Sequence, residues 1–242
     1  MLCSVTRMYL SQTSARRVKW LNKPITEQLN ITYRLVACAR HGYYPQGRKF
    51  EKNQLRLEAA QSLYNLQEPL WTLFNVRGFE TRKMARWVSM INRTIDLLVR
   101  PLPNAEVPHV EILDYLQIHK AKYLAKLAFL QCYIHGKVIH APMEYDDTSG
   151  AWLISCVNNA FINAIYANKI MPQTQEEYEK RRQYLSNAIT YLNAVQQESF
   201  TYFNLVGYGE HVLKEWIEEL NECFKVLRAV QKSDHARFKN LP

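Results

Sequence analysis

Arg48, Lys49, Lys52 and Arg56 fall at i, i+1, i+4 and i+8, a spacing that lines cations along one side of a helix. Arg82, Lys83, Arg86 and Arg93 do likewise further along the chain, with Trp87 expected to turn inward. Such rows suit a nucleic-acid backbone, because each phosphate neutralised releases a condensed counterion. Contacts of this kind give affinity with little choice of sequence. Arg16, Arg17 and Lys19 extend the candidate track toward the N-terminus. Tyr43 and Tyr44 are placed to stack on unpaired bases, although packing at a helix end is the slightly favoured role for both.

The remaining reactive residues spell no reaction. The sequence has no phosphate-binding Gly-x-x-x-x-Gly-Lys-Ser/Thr loop, no Gly-x-Ser-x-Gly elbow and no His-Glu-x-x-His pair. The one Glu-x-x-His, Glu106 to His109, encloses a proline and has no mate, so a di-iron bundle is not expected. Glu215, Glu218, Glu219 and Glu222 read as the solvated face of a helix. His135 and His140, near Cys132, read as surface or helix-end histidines, with a metal site a long shot. Asp146 to Gly150 look like a loop and helix N-cap. The five cysteines are odd in number, widely spaced and without a Cys-x-x-Cys, so free, mostly buried thiols in a cytosolic protein are expected. No catalytic residue, metal or cofactor is predicted, and the chain reads as a non-enzyme.

Charge supports the polyanion reading. The total is +9, but residues 1–108 hold 17 Lys/Arg against 7 Asp/Glu (+10), and residues 109–242 hold 14 against 15 (−1). A field so lopsided favours nucleic acid over an ordinary solvated surface. No run of 18 apolar residues exists and no signal peptide is recognised, so no membrane association is expected.

The elements that would carry these residues come in two copies. At an offset of 128, Asn30, Tyr33, Phe50-Glu51-Lys52, Leu57, Ala60 and Asn65 match Asn158, Phe161, Tyr178-Glu179-Lys180, Leu185, Ala188 and Asn193. After a one-residue slip, Phe74, Gly78, Phe79, Trp87, Asn92 and Leu98 lie over Phe203, Gly207, Tyr208, Trp216, Asn221 and Leu227. A Trp over a Trp is informative in a chain with only five, and the order of the matches points to gene duplication. Stripes at helical spacing (Met84, Trp87/Val88, Ile91, Ile95 and Leu98; Val212/Leu213, Trp216/Ile217, Leu220, Cys223/Phe224 and Leu227) mark core-facing helices in both copies. Earlier helices are predicted near 25–41, 47–75, 151–169 and 174–203. Pro69 should kink or end the second of these. A further helix is predicted from Val110 to about Lys137. The expected fold is all-α, two tandem antiparallel helical bundles: three helices with a basic arm, then four helices. The boundary falls in the proline-rich link, giving domains 1–104 and 105–242.

Ala167-Asn168-Lys169-Ile170-Met171-Pro172, the run Glu177 to Ile189, and the tail Leu227-Arg228 … Lys232-Ser233-Asp234 resemble one family. It comprises the four-helix-bundle accessory variability determinants of diversity-generating retroelements, similar in turn to the intervening-sequence protein of 23S ribosomal RNA. The resemblance covers about residues 109–234, and the family's tail tryptophan is missing here. It implies a non-catalytic, cytoplasmic, bacterial or phage-encoded protein. Its partners would be a reverse transcriptase and structured template RNA (or the cDNA), in support of mutagenic retrohoming. The family's ring-like homo-oligomer is one expectation; a pseudo-symmetric or monomeric adaptor is the other for a duplicated chain. The competing reading is a helical protein-interaction adaptor, of phage or ribosome-associated type, whose basic half meets an acidic partner.

Overall fold

The computed structural model describes residues 15–41, 49–77, 81–141 and 149–242. All regular structure among them is helical: α1 (Ala15–His41), α2 (Lys49–Tyr64), α3 (Gln67–Arg77), α4 (Thr81–Val99), α5 (Tyr115–Lys120), α6 (Lys122–Ile139), α7 (Ala151–Lys169), α8 (Gln175–Val206) and α9 (Glu210–Phe238). The chain divides into two compact units, one ending at Leu113 and one from Asp114 to Pro242. None of the described helices is long and apolar enough to cross a membrane.

In the second unit, α6, α7, α8 and α9 close a ring in which each packs on the next and α9 returns to α6. The polar contacts run in opposite senses along every neighbouring pair, as Arg181 and Asn187 of α8 show by meeting Ala167 and Asn163 of α7. Tyr123 and His135 of α6 meet Asn168 and Asn158 of α7. Arg181 and Gln231 pair across α8 and α9 with Asp234 and Ser186. Tyr133 and Lys126 of α6 meet Glu215 and Glu219 of α9. The unit is therefore an up-and-down four-helix bundle, which short links allow. One link is Gly207, whose left-handed φ of 71° closes α8 by returning its N–H to the Phe203 carbonyl. Another is Ile170–Thr174, where Thr174 caps α8 by accepting from the Glu177 amide.

The first unit places α2 between α1 and α4. Thr32 of α1 donates to Ser62 of α2 (3.1 Å), which in turn reaches the side chain of Gln28 (2.9 Å). The expected helix near 47–75 is broken in two. Asn65 and Leu66 form a turn, and Pro69 sits in the first turn of α3, where a missing N–H costs nothing.

Two expected elements differ. The basic arm is helix instead: α1 begins at Ala15 and runs through Pro24, held by buried Ile25 and Leu29 in the following turns. Residues 109–114 are extended, not the start of a helix. The amide of Val110 donates to Asn92 Oδ1 (2.8 Å) and its carbonyl accepts from Asn92 Nδ2 (2.9 Å). Glu111 donates to Gln67 (3.0 Å) and accepts from the Trp71 indole (2.9 Å). Side chains of the first unit thus satisfy the backbone that a helix would have satisfied internally. Val110 and Leu113 are buried, which is why the first unit extends past the proline-rich link.

Candidate nucleic-acid interface

The core face of α4 fixes its outer face. Met84, Trp87, Val88, Ile91 and Ile95 are buried. Each large apolar side chain so removed from water contributes about 1.5–3 kcal/mol. Trp87 turns inward as expected and meets Phe74 edge-on (centroids 5.9 Å, 79°). Arg82, Arg86 and Arg93, at i, i+4 and i+11, are left in one exposed line. None of the three has a carboxylate partner among the described residues. Lys83 stands exposed beside them.

Lys52 is exposed and Arg56 half-buried, one turn apart on α2, which packs against α4. Arg16, Arg17 and Lys19 fall in the first turns of α1, and Lys49 opens α2; their side chains lie outside those described. Arg48, Tyr43 and Tyr44 also lie outside the described residues. The line along α4 is thus the part of the expected track that the geometry brings together.

The counterpart helix of the second unit carries opposite charge. Glu215 accepts from the Tyr133 hydroxyl (3.1 Å), Glu219 pairs with Lys126 (3.6 Å) and Glu222 with Lys225 (3.5 Å). These carboxylates therefore hold neighbouring side chains, and Glu218 is exposed. Among the described residues no three His, Cys, Asp or Glu side chains gather as a metal ion would require.

Two polar clusters escaped the sequence reading. Arg181 is buried and spans three helices. Its Nε donates to Asp234 on α9 (2.6 Å), and its Nη1 donates to the carbonyls of Ala167 (2.7 Å) and Ile170 (2.9 Å) at the end of α7. A groove of about 460 Å³ opens above this pair, lined by Tyr178, Glu179, Arg182, Gln231, His235 and Lys239. Its wall carries both signs, and Arg182 is already bonded to Glu179 (3.3 Å), so it offers no single charge to a ligand.

His135 is the second. It is wholly buried, where a surface or helix-end position was expected. Its Nε2 lies 2.8 Å from Asn158 Oδ1, which also accepts from Gln131 (3.0 Å). That geometry makes Nε2 the protonated nitrogen and leaves Nδ1 without a partner. Burial lowers its pKa to about 4, opposed by the bond to Asn158. The residue missed in sequence is thus a neutral core histidine. Its signal lay in its spacing: it falls four residues after Gln131 and eight after Leu127 on the buried side of α6.

Two of the described thiols are likewise shielded, while Cys132 is half-buried and Cys38 exposed. Cys156 and Cys223 are buried, which raises their pKa to about 11 and about 12. Neither is poised as a nucleophile at neutral pH.

Phe74–Trp87 has a twin. At the offset of 129, Phe203 meets Trp216 edge-on (5.0 Å, 84°), with both rings buried. The same two residue types hold the same arrangement between the corresponding helices of each unit. Comparison with protein-family models, curated proteins and solved structures finds no match to this chain.

Proposed function

We propose that the chain is a non-catalytic RNA-binding scaffold, formed by duplication of one helical unit, that associates with a reverse transcriptase and its template RNA during retroelement cDNA synthesis. The supporting observation is the line Arg82, Arg86 and Arg93: exposed and without carboxylate partners among the described residues, it belongs to the half of the chain that holds all the excess positive charge. A run of guanidiniums along a helix matches the repeat of phosphates on a folded RNA. The duplication draws its support from the two Phe–Trp pairs, and the reverse transcriptase from the resemblance of residues 109–234 to the accessory family.

The test is binding of a structured stem-loop RNA as salt is raised. The logarithm of the affinity should fall linearly with the logarithm of salt concentration. Arg82→Glu with Arg86→Glu should weaken binding by about a hundredfold or more and flatten the salt slope, with helicity unchanged. Unaltered binding by that double variant would remove the proposal. Recovery of a reverse transcriptase that survives nuclease treatment would make the contact with the enzyme direct; loss after nuclease would route it through RNA.

A further inference from the structure

The duplication, on which this inference rests, allows the two units to be compared lane by lane. In the second unit, α6 lies against α7 along Ile154, Asn158, Phe161, Ile165 and Asn168. These positions are spaced i, i+4, i+7, i+11 and i+14, the seam of a packed helix pair. Ile154, Phe161 and Ile165 are buried there, while Asn158 bonds to Gln131 and His135 and Asn168 to Tyr123. The corresponding residues of α1, at the offset of 128, are Thr26, Asn30, Tyr33, Ala37 and Arg40. Every one is exposed or half-buried. Tyr33 is 67% exposed, against 0% for Phe161.

The facing helix behaves in the same way. On α9, Glu215, Glu219, Glu222 and Val226 form the row toward α6, with Glu215 and Glu219 bonded to it. The offset of 129 puts Arg86, Met90, Arg93 and Leu97 in their places on α4. Arg86 and Arg93 are exposed, Met90 is half-buried, and Leu97 is 61% exposed. The first unit therefore presents two helices of a bundle with the lane between them uncovered.

Charge selects the occupant. The lane of the second unit offers carboxylates and is filled by a helix presenting Lys126 and Tyr133 to them. At the same positions the first unit has exchanged three carboxylates for two guanidiniums and a thioether, and has gained Arg40 at the end of the other wall. A second copy's α6 would bring Lys126 over Met90, between Arg86 and Arg93, a repulsive placement. We propose that the α1/α4 lane of the first unit binds an acidic amphipathic helix of a partner protein. Its apolar stripe would cover Tyr33, Met90 and Leu97, its carboxylates would meet Arg40 and, in competition with RNA phosphates, Arg86 and Arg93, and a polar group would meet Asn30 as Gln131 and His135 meet Asn158.

A labelled peptide of residues 122–139 carrying Lys122→Glu, Lys126→Glu and Tyr133→Glu supplies the probe, with the unaltered peptide as control. Titrated with the full chain, the acidic peptide should bind at least about tenfold more tightly than the control, and the difference should shrink as salt rises. Tyr33→Ser with Leu97→Ser should cost the acidic peptide about tenfold or more while leaving stem-loop RNA affinity unchanged. Both positions are solvent-exposed, so the fold is kept. Four results would each overturn the inference: no binding of the acidic peptide below about 100 μM; equal binding of both peptides; a peptide affinity indifferent to the double variant; or an RNA affinity that falls with it as far as the peptide's, which would give the lane to nucleic acid. A fifth, a dimer of the unmodified chain dispersed by the double variant, would give the lane to a second copy. Loss of RNA binding on reversal of Arg82 alone, by contrast, bears on the RNA proposal and leaves the lane untouched.

Discussion

Asp234 and Arg181 tie the far end of α9 to α8 and to the last carbonyls of α7. A buried ion pair adds little over a well-packed apolar pair, but removing one partner strands the other charge. Asp234→Ala should therefore cost about 3–5 kcal/mol, read as a lower urea midpoint at pH 7. His135 makes stability depend on pH. Its folded pKa of about 4 lies below the ordinary value of 6.5. Between those values the unfolded chain takes up a proton that the native state refuses. Stability is thus whole above about pH 6.5 and declines as pH falls toward 4, by about 3 kcal/mol for this one group. Urea titrations at pH 7 and pH 5 should show the decline, and His135→Gln should remove its share. A slope unchanged by that substitution would contradict the buried neutral imidazole.

At the scale of elements, the apolar stripes were legible because period and burial coincide. Met84, Trp87, Val88, Ile91 and Ile95 are the buried face of α4, and α7 spans the 151–169 expected of it. What was not legible depended on partners distant in sequence. Nothing near Val110 and Glu111 announces that Asn92 will take over the backbone bonds of the first, and Gln67 and Trp71 those of the second. Nothing near Arg16 outweighs Pro24, yet α1 continues through it because Ile25 and Leu29 are packed. His135 needed Asn158, and Arg181 needed Asp234. Of the expected basic track, the α4 line follows directly from helical spacing. Its relation to Lys52 and Arg56 depends on how helices pack, which spacing alone does not give. The turn after α8 is a clean case of local dictation. Gly207 sits at φ 71°, so Gly207→Ala should cost about 1–2 kcal/mol despite open space around it, seen as an earlier thermal transition.

At the scale of the molecule, each unit holds an edge-on Phe–Trp pair, and the two differ in electrostatics. The second closes its ring with α6 and is nearly neutral in sequence; the first holds the excess of cations and an uncovered lane. Division of labour follows from that contrast: polyanion affinity should reside in the first unit. Residues 114–242 prepared alone should stay helical, given their closed ring, and show no measurable affinity for the stem-loop that the whole chain binds. Equal affinity of that fragment would place the polyanion site in the wrong half.

The extended stretch at 109–113 also decides where the chain can be cut. Sequence invites a scissor at the prolines, yet that incision would bare the Trp71 indole, strip Asn92 and Gln67 of the amides they hold, and uncover the side of α4 beneath Val110. An autonomous first half must therefore carry its tether with it, through Leu113.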